Sequence, residues 1–121
     1  MSKEVDNHAS VLYKGQVYLL AETDVFHHWL GSLADRRAVA RILDRIKRAS
    51  NGNFGDTKPV GSGVSELRID TGPGYRVYFF RRGKALVILL CGGDKKSQTS
   101  DIARAVRMKE EIESGGGDEA L

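Results

Sequence analysis

Three short segments that follow one another between residues 64 and 91 most constrain how this chain can fold. VSELRID (64 to 70), YRVYFFR (75 to 81) and ALVILLC (85 to 91) are rich in β-branched, aromatic and aliphatic residues, and short turns containing glycine separate them. Connections this short suit antiparallel hairpins. ALVILLC is apolar at every position, so we predict a central strand that is covered on both faces.

Helices are predicted on either side of these strands. VYLLAE (17 to 22) is typical of a first strand, after which Thr23 or Asp24 can cap a helix and Ser32 a second one. Ser97 is predicted to cap a last helix. The order β-α-α-β-β-β-α indicates an α+β domain: a small, antiparallel-rich twisted sheet with a two-helix hairpin packed on one face, followed by a C-terminal helix.

The chain length of 121 residues allows one domain with a single core. Residues 1 to 15 are polar and aperiodic, and we interpret them as a mobile N-terminal extension or an extra edge segment. Residues 16 to 113 form the predicted domain, and residues 114 to 121 a disordered tail. No apolar run approaches the about 20 residues that span a bilayer, and no signal peptide begins the chain, so we expect a cytoplasmic protein without a membrane partner.

The charge distribution favours an anionic partner. The net charge is +3, and seven of the 16 acidic residues lie near the two ends, which leaves a basic middle. A solvated surface would look similar, so the charge alone identifies no ligand. Cys91, the single cysteine, rules out an internal disulfide and is expected to be buried.

Four motifs together resemble a known family. They are GDTKPVG at 55 to 61, SELRID at 65 to 70, GPGYRVYF at 72 to 79 and CGGDKKSQ at 91 to 98. In this order and spacing they resemble the RelE/ParE-type toxins of bacterial type II toxin–antitoxin modules. Within that superfamily they are most similar to the addiction module killer proteins, which are related to the HigB-type toxins. The resemblance covers about residues 17 to 110, and the extension before residue 16 lies outside it.

The resemblance implies a RelE-like fold and a small basic toxin that a cognate antitoxin, a small helix-turn-helix protein, neutralises. Most such toxins are ribosome-dependent endoribonucleases that cleave messenger RNA and so inhibit translation, which makes messenger RNA and the ribosome the expected partners. No cofactor or metal ion is implied. Two alternatives remain open: a toxin that poisons DNA gyrase by binding it, and an inactive module with the toxin fold that only binds the antitoxin.

The candidate catalytic residues follow from the chemistry of RNA cleavage by the 2′-hydroxyl, which needs a base, cations around the phosphorane and an acid. The resemblance implies that Arg76 holds the scissile phosphate. Arg68 on the preceding strand, and Asp94 and Lys95 after the last strand, are the other catalytic candidates. If the turn between the two strands has an odd number of residues, Arg68 and Arg76 share one face.

Further candidates are predicted to contact RNA or its phosphates. These residues are Lys58, Lys96, Arg81 and Tyr78.

Structural roles compete with each of these assignments. Arg76 can form an ion pair with Glu66 or Asp70 on the neighbouring strand, and Asp94 is expected to cap the last helix. The lysines after the last strand, and the arginines of the second helix, can simply be solvated; for the arginines the alternative is contact with ribosomal RNA. No histidine falls within the four motifs, so the general base is not evident.

Overall fold

The computed structural model describes residues 9–116 and confirms the predicted α+β class. The strands are β1 (Ser10–Lys14), β2 (Leu19–Glu22), β3 (Thr57–Gly61), β4 (Val64–Ile69), β5 (Tyr75–Arg82) and β6 (Leu86–Asp94). The helices are α1 (Asp24–Ser32), α2 (Arg36–Ser50) and α3 (Gln98–Glu111). A 3₁₀ turn (Lys95–Ser97) precedes α3, and a π-helical turn (Ile112–Gly116) follows it. Within this range no helix has the length and apolar character needed to cross a membrane.

The six strands form one sheet in the order β1-β2-β6-β5-β4-β3. β2 runs parallel to β6, and the other neighbouring strands are antiparallel. The predicted hairpins β4–β5 and β5–β6 are therefore confirmed. β6 lies inside the sheet, and it is buried without interruption from Val87 to Cys91, as its apolar sequence predicted.

Helices cover both faces of the sheet. α1 and α2 lie on one face, over a core that includes Phe26, Ile46 and Phe79. α3 lies on the opposite face, where Ala105 packs among buried side chains that include Cys91. The prediction that Cys91 is buried is confirmed, and burial raises the pKa of its thiol to about 12. β6 is apolar on both sides because it belongs to a sheet that lies between two layers of helices.

The first helix begins as predicted, and the second begins three residues later than predicted. Thr23 Oγ1 accepts a hydrogen bond from the Phe26 amide at 3.1 Å and donates one to the Leu90 carbonyl at 2.6 Å, which ties α1 to β6. Ser32 does not cap α2. Asp35 does, since its carboxylate accepts from two backbone amides at 3.0 and 3.2 Å and its negative charge suits a helix N-terminus.

Both edges of the sheet differ from the expectation. β1 lies within the predicted N-terminal extension and is the extra edge segment of the two alternatives; residues 1–8 lie outside the described range. β3 lies in the GDTKPVG motif, for which no strand was predicted, because Pro59 and the nearby glycines are unusual in strands. Proline is tolerated there because β3 is an edge strand. The predicted tail starts at residue 114, but residues 114–116 belong to the π-helical turn, and the remainder is not described.

The glycine pair near the end of β6 lets two other side chains approach the strand. A Cβ at Gly92 would collide with the ring of Trp29 from α1, and a Cβ at Gly93 would collide with the carboxylate of Asp101 from α3. Neither glycine has a positive φ. Close packing, and not backbone conformation, therefore requires glycine at these positions.

Replacing Gly92 with alanine should destabilise the fold, because the added methyl group must displace Trp29. We expect Gly92→Ala to lower the free energy of unfolding by about 1–3 kcal/mol, as overpacking does. Gly31→Ala is the matched control: nothing lies within 4 Å of its added Cβ, so it should stabilise α1 by about 0.5–1 kcal/mol. Urea unfolding of the two variants and the wild type measures both effects. Equal stability of Gly92→Ala and wild type would contradict the packing described here.

Candidate active site

On the face of the sheet that α3 covers, polar side chains form two rows that run across neighbouring strands. In the first row, Glu66 of β4 lies between Lys58 of β3 and Tyr78 of β5. In the second row, Arg68 of β4 lies opposite Arg76 of β5. The β4–β5 turn holds five residues, 70 to 74, which is the odd number that the shared face of Arg68 and Arg76 requires. The prediction that these two arginines meet across the hairpin is confirmed.

Glu66 is the centre of this polar cluster, with only 1% of its side chain exposed. Its Oε1 lies 3.8 Å from Arg76 Nε, and its Oε2 lies 3.8 Å from Arg68 Nη1. Gln98 Nε2 from α3 donates a hydrogen bond to Oε1 at 3.4 Å. The ion pair between Arg76 and Glu66, one of the structural alternatives, is therefore present. Both arginine distances exceed the usual N–H···O range of about 2.7–3.2 Å, so each contact is electrostatic without a hydrogen bond.

Several buried polar atoms of the cluster lack hydrogen-bond partners. Among residues 9–116 these atoms are Glu66 Oε2, Arg76 Nε and Tyr78 Oη, and the only further case is Glu22 Oε1. Leaving a buried polar group unsatisfied costs about 1–3 kcal/mol, so natural proteins rarely place three in contact. Concentrated donors and acceptors of this kind are typical of a site that awaits a polar ligand. No group of three or more His, Cys, Asp or Glu side chains that could hold a metal ion occurs in the same range.

The hydroxyl of Tyr78 remains a hydrogen-bond donor at every physiological pH. Burial raises its pKa well above the usual range, and the negative charge of Glu66 raises it further. The charge of Arg76 acts in the opposite direction but does not cancel these effects. Tyr78 can thus donate a hydrogen bond to an anion in the cluster, but it is a poor proton donor for catalysis.

Arg68 is bound much more firmly than Arg76. Its Nε and Nη2 both donate to Asp56 Oδ1, at 3.1 and 2.8 Å, and the hydrogen bond with Asp56 raises the pKa of Arg68. Arg45 of α2 in turn donates to the Arg68 carbonyl at 2.6 Å and to the Phe54 carbonyl at 3.0 Å. Burial lowers the pKa of Arg45. Arg45 was predicted to be one of the solvated arginines of the second helix, and Asp56 was not predicted to take part in the site, although it lies in the GDTKPVG motif.

Asp94 caps the turn before α3, and the lysines that follow it are exposed. Its Oδ1 accepts from the amides of Lys96 and Ser97 at 2.9 and 3.2 Å, so the capping role expected for Asp94 is confirmed. Ser97 precedes α3, as predicted, but its side chain makes no capping hydrogen bond. A Cβ built on Gly74 would lie 3.6 Å from Lys95 Cβ and 3.8 Å from Arg76 Nη1. Lys95 and the outer end of Arg76 therefore both lie beside Gly74, and we call this region the mouth of the cluster.

The remaining candidates differ in their distance from the cluster. Lys58 is exposed on edge strand β3 opposite Glu66, at the margin of the same face. Arg81 lies on the opposite face, where its guanidinium stacks 4.5 Å from the ring centroid of Phe54. The fold thus gathers Arg68, Arg76, Tyr78, Lys58 and Lys95 around one carboxylate and separates Arg81 from them.

Glu66 was predicted only as a structural ion-pair partner of Arg76, and Gln98 was not predicted to take part in the site. For Glu66 a signal existed, because alternation along β4 places it on the face of Arg68, and a glutamate inside a strand requires a charged partner. For Gln98 no local signal existed, because its contact with Glu66 depends on how α3 packs against the sheet.

Removing the Tyr78 hydroxyl should not weaken the fold, because that hydroxyl has no hydrogen-bond partner. We expect Tyr78→Phe to raise the free energy of unfolding by about 1 kcal/mol at neutral pH. Tyr13→Phe, on edge strand β1, is the control and should stay within about 0.5 kcal/mol of wild type. Urea unfolding measures the difference. A loss above about 1 kcal/mol would show that the hydroxyl is satisfied after all.

The same pair of variants has a pH signature. Since the pKa of Tyr78 is higher in the folded chain than in the unfolded chain, the unfolded chain loses this proton first as the pH rises. The stability that this difference in the pKa of Tyr78 contributes is fully present below about pH 10 and is lost as the pH rises above it. The alkaline decline of stability should therefore be shallower in Tyr78→Phe than in Tyr13→Phe.

Comparison with known proteins places the site within a described family. Residues 28–110 match the family model of phage-derived Gp49-like proteins (DUF891). An uncharacterized protein of Haemophilus influenzae is 52% identical over 90 residues, which are 74% of this chain and 91% of that protein. The family match contains both rows of the polar cluster, the turn that Asp94 caps and most of α3.

Proposed function

The chain belongs to the Gp49-like family, a toxin-like family of toxin–antitoxin modules, and from this premise we propose that it is a type II toxin that cleaves messenger RNA on the ribosome. A cognate antitoxin neutralises it. One observation carries the proposal: a buried carboxylate lies 3.8 Å from each of two arginines, and Glu66, Arg76 and the neighbouring Tyr78 each have one buried polar atom without a hydrogen-bond partner. Acid–base and anion-binding groups thus converge where a phosphate can enter.

Arg76 holds the scissile phosphate in this mechanism. Its Nε is buried beside Glu66 without a hydrogen bond, and its Nη1 lies next to Gly74 at the mouth of the cluster. A planar guanidinium can donate to two phosphate oxygens at once, and a charge that is largely removed from water binds an anion more strongly. Arg68 is less available because Asp56 already occupies two of its donors.

Glu66 takes the proton of the attacking 2′-hydroxyl. Its Oε2 is an unsatisfied acceptor, and catalytic hydrogen bonds are often long in the free enzyme and shorten only with substrate. As the 2′-oxygen attacks phosphorus, the Tyr78 hydroxyl donates a hydrogen bond to the developing phosphorane. Asp94 is a weaker candidate for the base, because the turn before α3 uses its carboxylate.

Lys95 protonates the leaving 5′-oxygen. It is exposed and lies beside Arg76 at the mouth, and its ammonium group offers three donors. The step balances: the 2′-O–P bond forms, the P–O5′ bond breaks, one proton passes to Glu66 and another comes from Lys95. The products are a 2′,3′-cyclic phosphate and a 5′-hydroxyl end.

Binding to ribosome-associated RNA is supported by the exposed side of α2. Its solvent-exposed cations are Arg36, Arg37, Arg41, Lys47 and Arg48. Of these, Arg48 pairs with Asp44 at 3.1 Å, and no ion pair within residues 9–116 involves the other four. Unpaired cations on one helix attract phosphates without reading sequence, which suits contact with structured RNA.

Arg76→Ala should abolish toxicity; it also removes one of the two charges that compensate Glu66, so it should lower the free energy of unfolding, while Arg68 remains to pair with the carboxylate. Losing the phosphate contact should slow cleavage by about 100-fold or more, as removal of a transition-state donor does. Lys84→Ala is the matched control, since Lys84 is an exposed cation in the turn at the far end of the same hairpin. Mapping of 5′-hydroxyl RNA ends after brief induction compares the two variants with wild type, and antitoxin binding confirms folding.

Other outcomes of that induction would contradict the proposal. If messenger RNA stays intact while double-strand breaks appear in DNA, the protein poisons gyrase. If strong expression is harmless although the antitoxin still binds, the chain is an inactive member of the fold.

Glu66→Gln should remove the base and keep the shape of the side chain. We expect single-turnover cleavage of messenger RNA on purified ribosomes to fall by about 100-fold to 10,000-fold, which is the usual worth of general base catalysis. RNA binding should remain. Glu66→Asp keeps the charge that neutralises the two arginines, so it serves as the second variant if Glu66→Gln unfolds. Cleavage by Glu66→Gln within about twofold of wild type would rule out this base, since a base contributes far more.

A further inference from the structure

A groove with no part in the steps above runs around the end of β6, between α1 and α3. It consists of two adjoining cavities of about 480 and 400 Å³, and both are lined by Trp29 and Arg104. We call it the Trp29 groove. Gly92 and Gly93 are among its lining residues, and the Trp29 ring and the Asp101 carboxylate pack directly against these two glycines. Cavities of this size suit small ligands or single nucleotides.

Aromatic rings form one wall of the Trp29 groove. The rings of Trp29 and Tyr75 are edge to face, with centroids 6.1 Å apart, and both side chains are only partly buried. Leu33 and Pro73 add apolar surface beside them. A flat ring can stack on such a wall, and single-stranded RNA is held in this way because every base has a π-face.

Arg104 is the available charge of the groove. It is exposed and makes no hydrogen bond or ion pair with the described residues. The neighbouring carboxylates are already engaged: Asp101 accepts from Ser97 Oγ at 2.5 Å, and Asp94 caps the turn. Asp24 lies in the first turn of α1, where the helix N-terminus stabilises it. These contacts leave the three carboxylates charged, so an anionic group in the groove is attracted only where it contacts the Arg104 guanidinium itself.

The Trp29 groove adjoins the proposed catalytic cluster. Arg76 lies directly opposite Gly93 in the β5–β6 register, and Gly93 is one of the lining residues of the groove. A nucleotide next to a phosphate that Arg76 holds therefore lies beside this groove. We propose that this groove binds the nucleotide next to the scissile phosphate, with its base against Trp29 and its own phosphate at Arg104. The inference rests on the proposed function.

An antitoxin helix fits the groove less well than a nucleotide does. A helix that docks in a groove needs a continuous apolar channel for anchors at positions i, i+3, i+4 and i+7. Here Trp29 divides the groove into two cavities, and an unpaired guanidinium faces both. Alternating stacking and charge is the pattern of single-strand RNA binding.

Trp29 is the only tryptophan of the chain, so its fluorescence reports on the groove directly. The probe is a hexanucleotide of 2′-O-methyl RNA, which cannot be cleaved. We expect it to quench Trp29 emission as a base stacks. Arg104→Ala should weaken this binding by about tenfold and reduce the slope of log affinity against log salt by about 0.7, the value for one phosphate contact with a single strand. Arg107→Ala, an exposed arginine of α3 outside the groove, should change neither.

Three outcomes overturn the inference. The first is RNA that binds, by anisotropy of a labelled probe, without any change in Trp29 emission. The second is equal quenching in Arg104→Ala and Arg107→Ala. The third is a response of Trp29 to the cognate antitoxin but not to RNA, which would make the groove a protein-docking site. The proposed function can fail independently of the groove. If the groove binds RNA as expected but induction leaves messenger RNA uncut, the proposal of RNA cleavage is wrong and the assignment of the groove stands.

Discussion

Burial of the Glu66 carboxylate is the constraint on which the rest of the active face depends. A carboxylate inside a sheet is tolerated only with compensating charge, and removing one partner of such a pair costs several kcal/mol, about 3–5. Two arginines supply the charge, and they are positioned in different ways. Hydrogen bonds to Asp56 hold Arg68, whereas the register of β4 and β5 places Arg76 opposite Arg68. Arg45 reaches across from α2 to the Arg68 carbonyl, so both layers of helices contribute to one charged centre.

β6 couples this centre to the remainder of the fold. Its middle is apolar on both faces and is buried between two layers of helices, whereas its end has no side chains at Gly92 and Gly93. Close approach of Trp29 on one face and of Asp101 on the other fixes α1 and α3 relative to the strand.

Local pattern predicted the hairpins, the shared face of Arg68 and Arg76, the central strand and the cap at Thr23, because each depends on residues close in sequence. Edge strand β3 was missed because Pro59 is unfavourable in most strands but acceptable at an edge, and edge position depends on the whole sheet. Gln98 and Arg45 were missed for a related reason. Amphipathic spacing shows that a helix packs against something, but not which side chain it brings to a distant carboxylate.

The two arginines are unequal, and this inequality supports distinct roles for them. Arg68 has two hydrogen bonds to Asp56, so an incoming phosphate would have to compete with a carboxylate that is already in contact at 2.8 Å. Arg76 has a single partner at 3.8 Å and an unsatisfied Nε, so it can turn toward a phosphate without breaking a hydrogen bond of its own side chain.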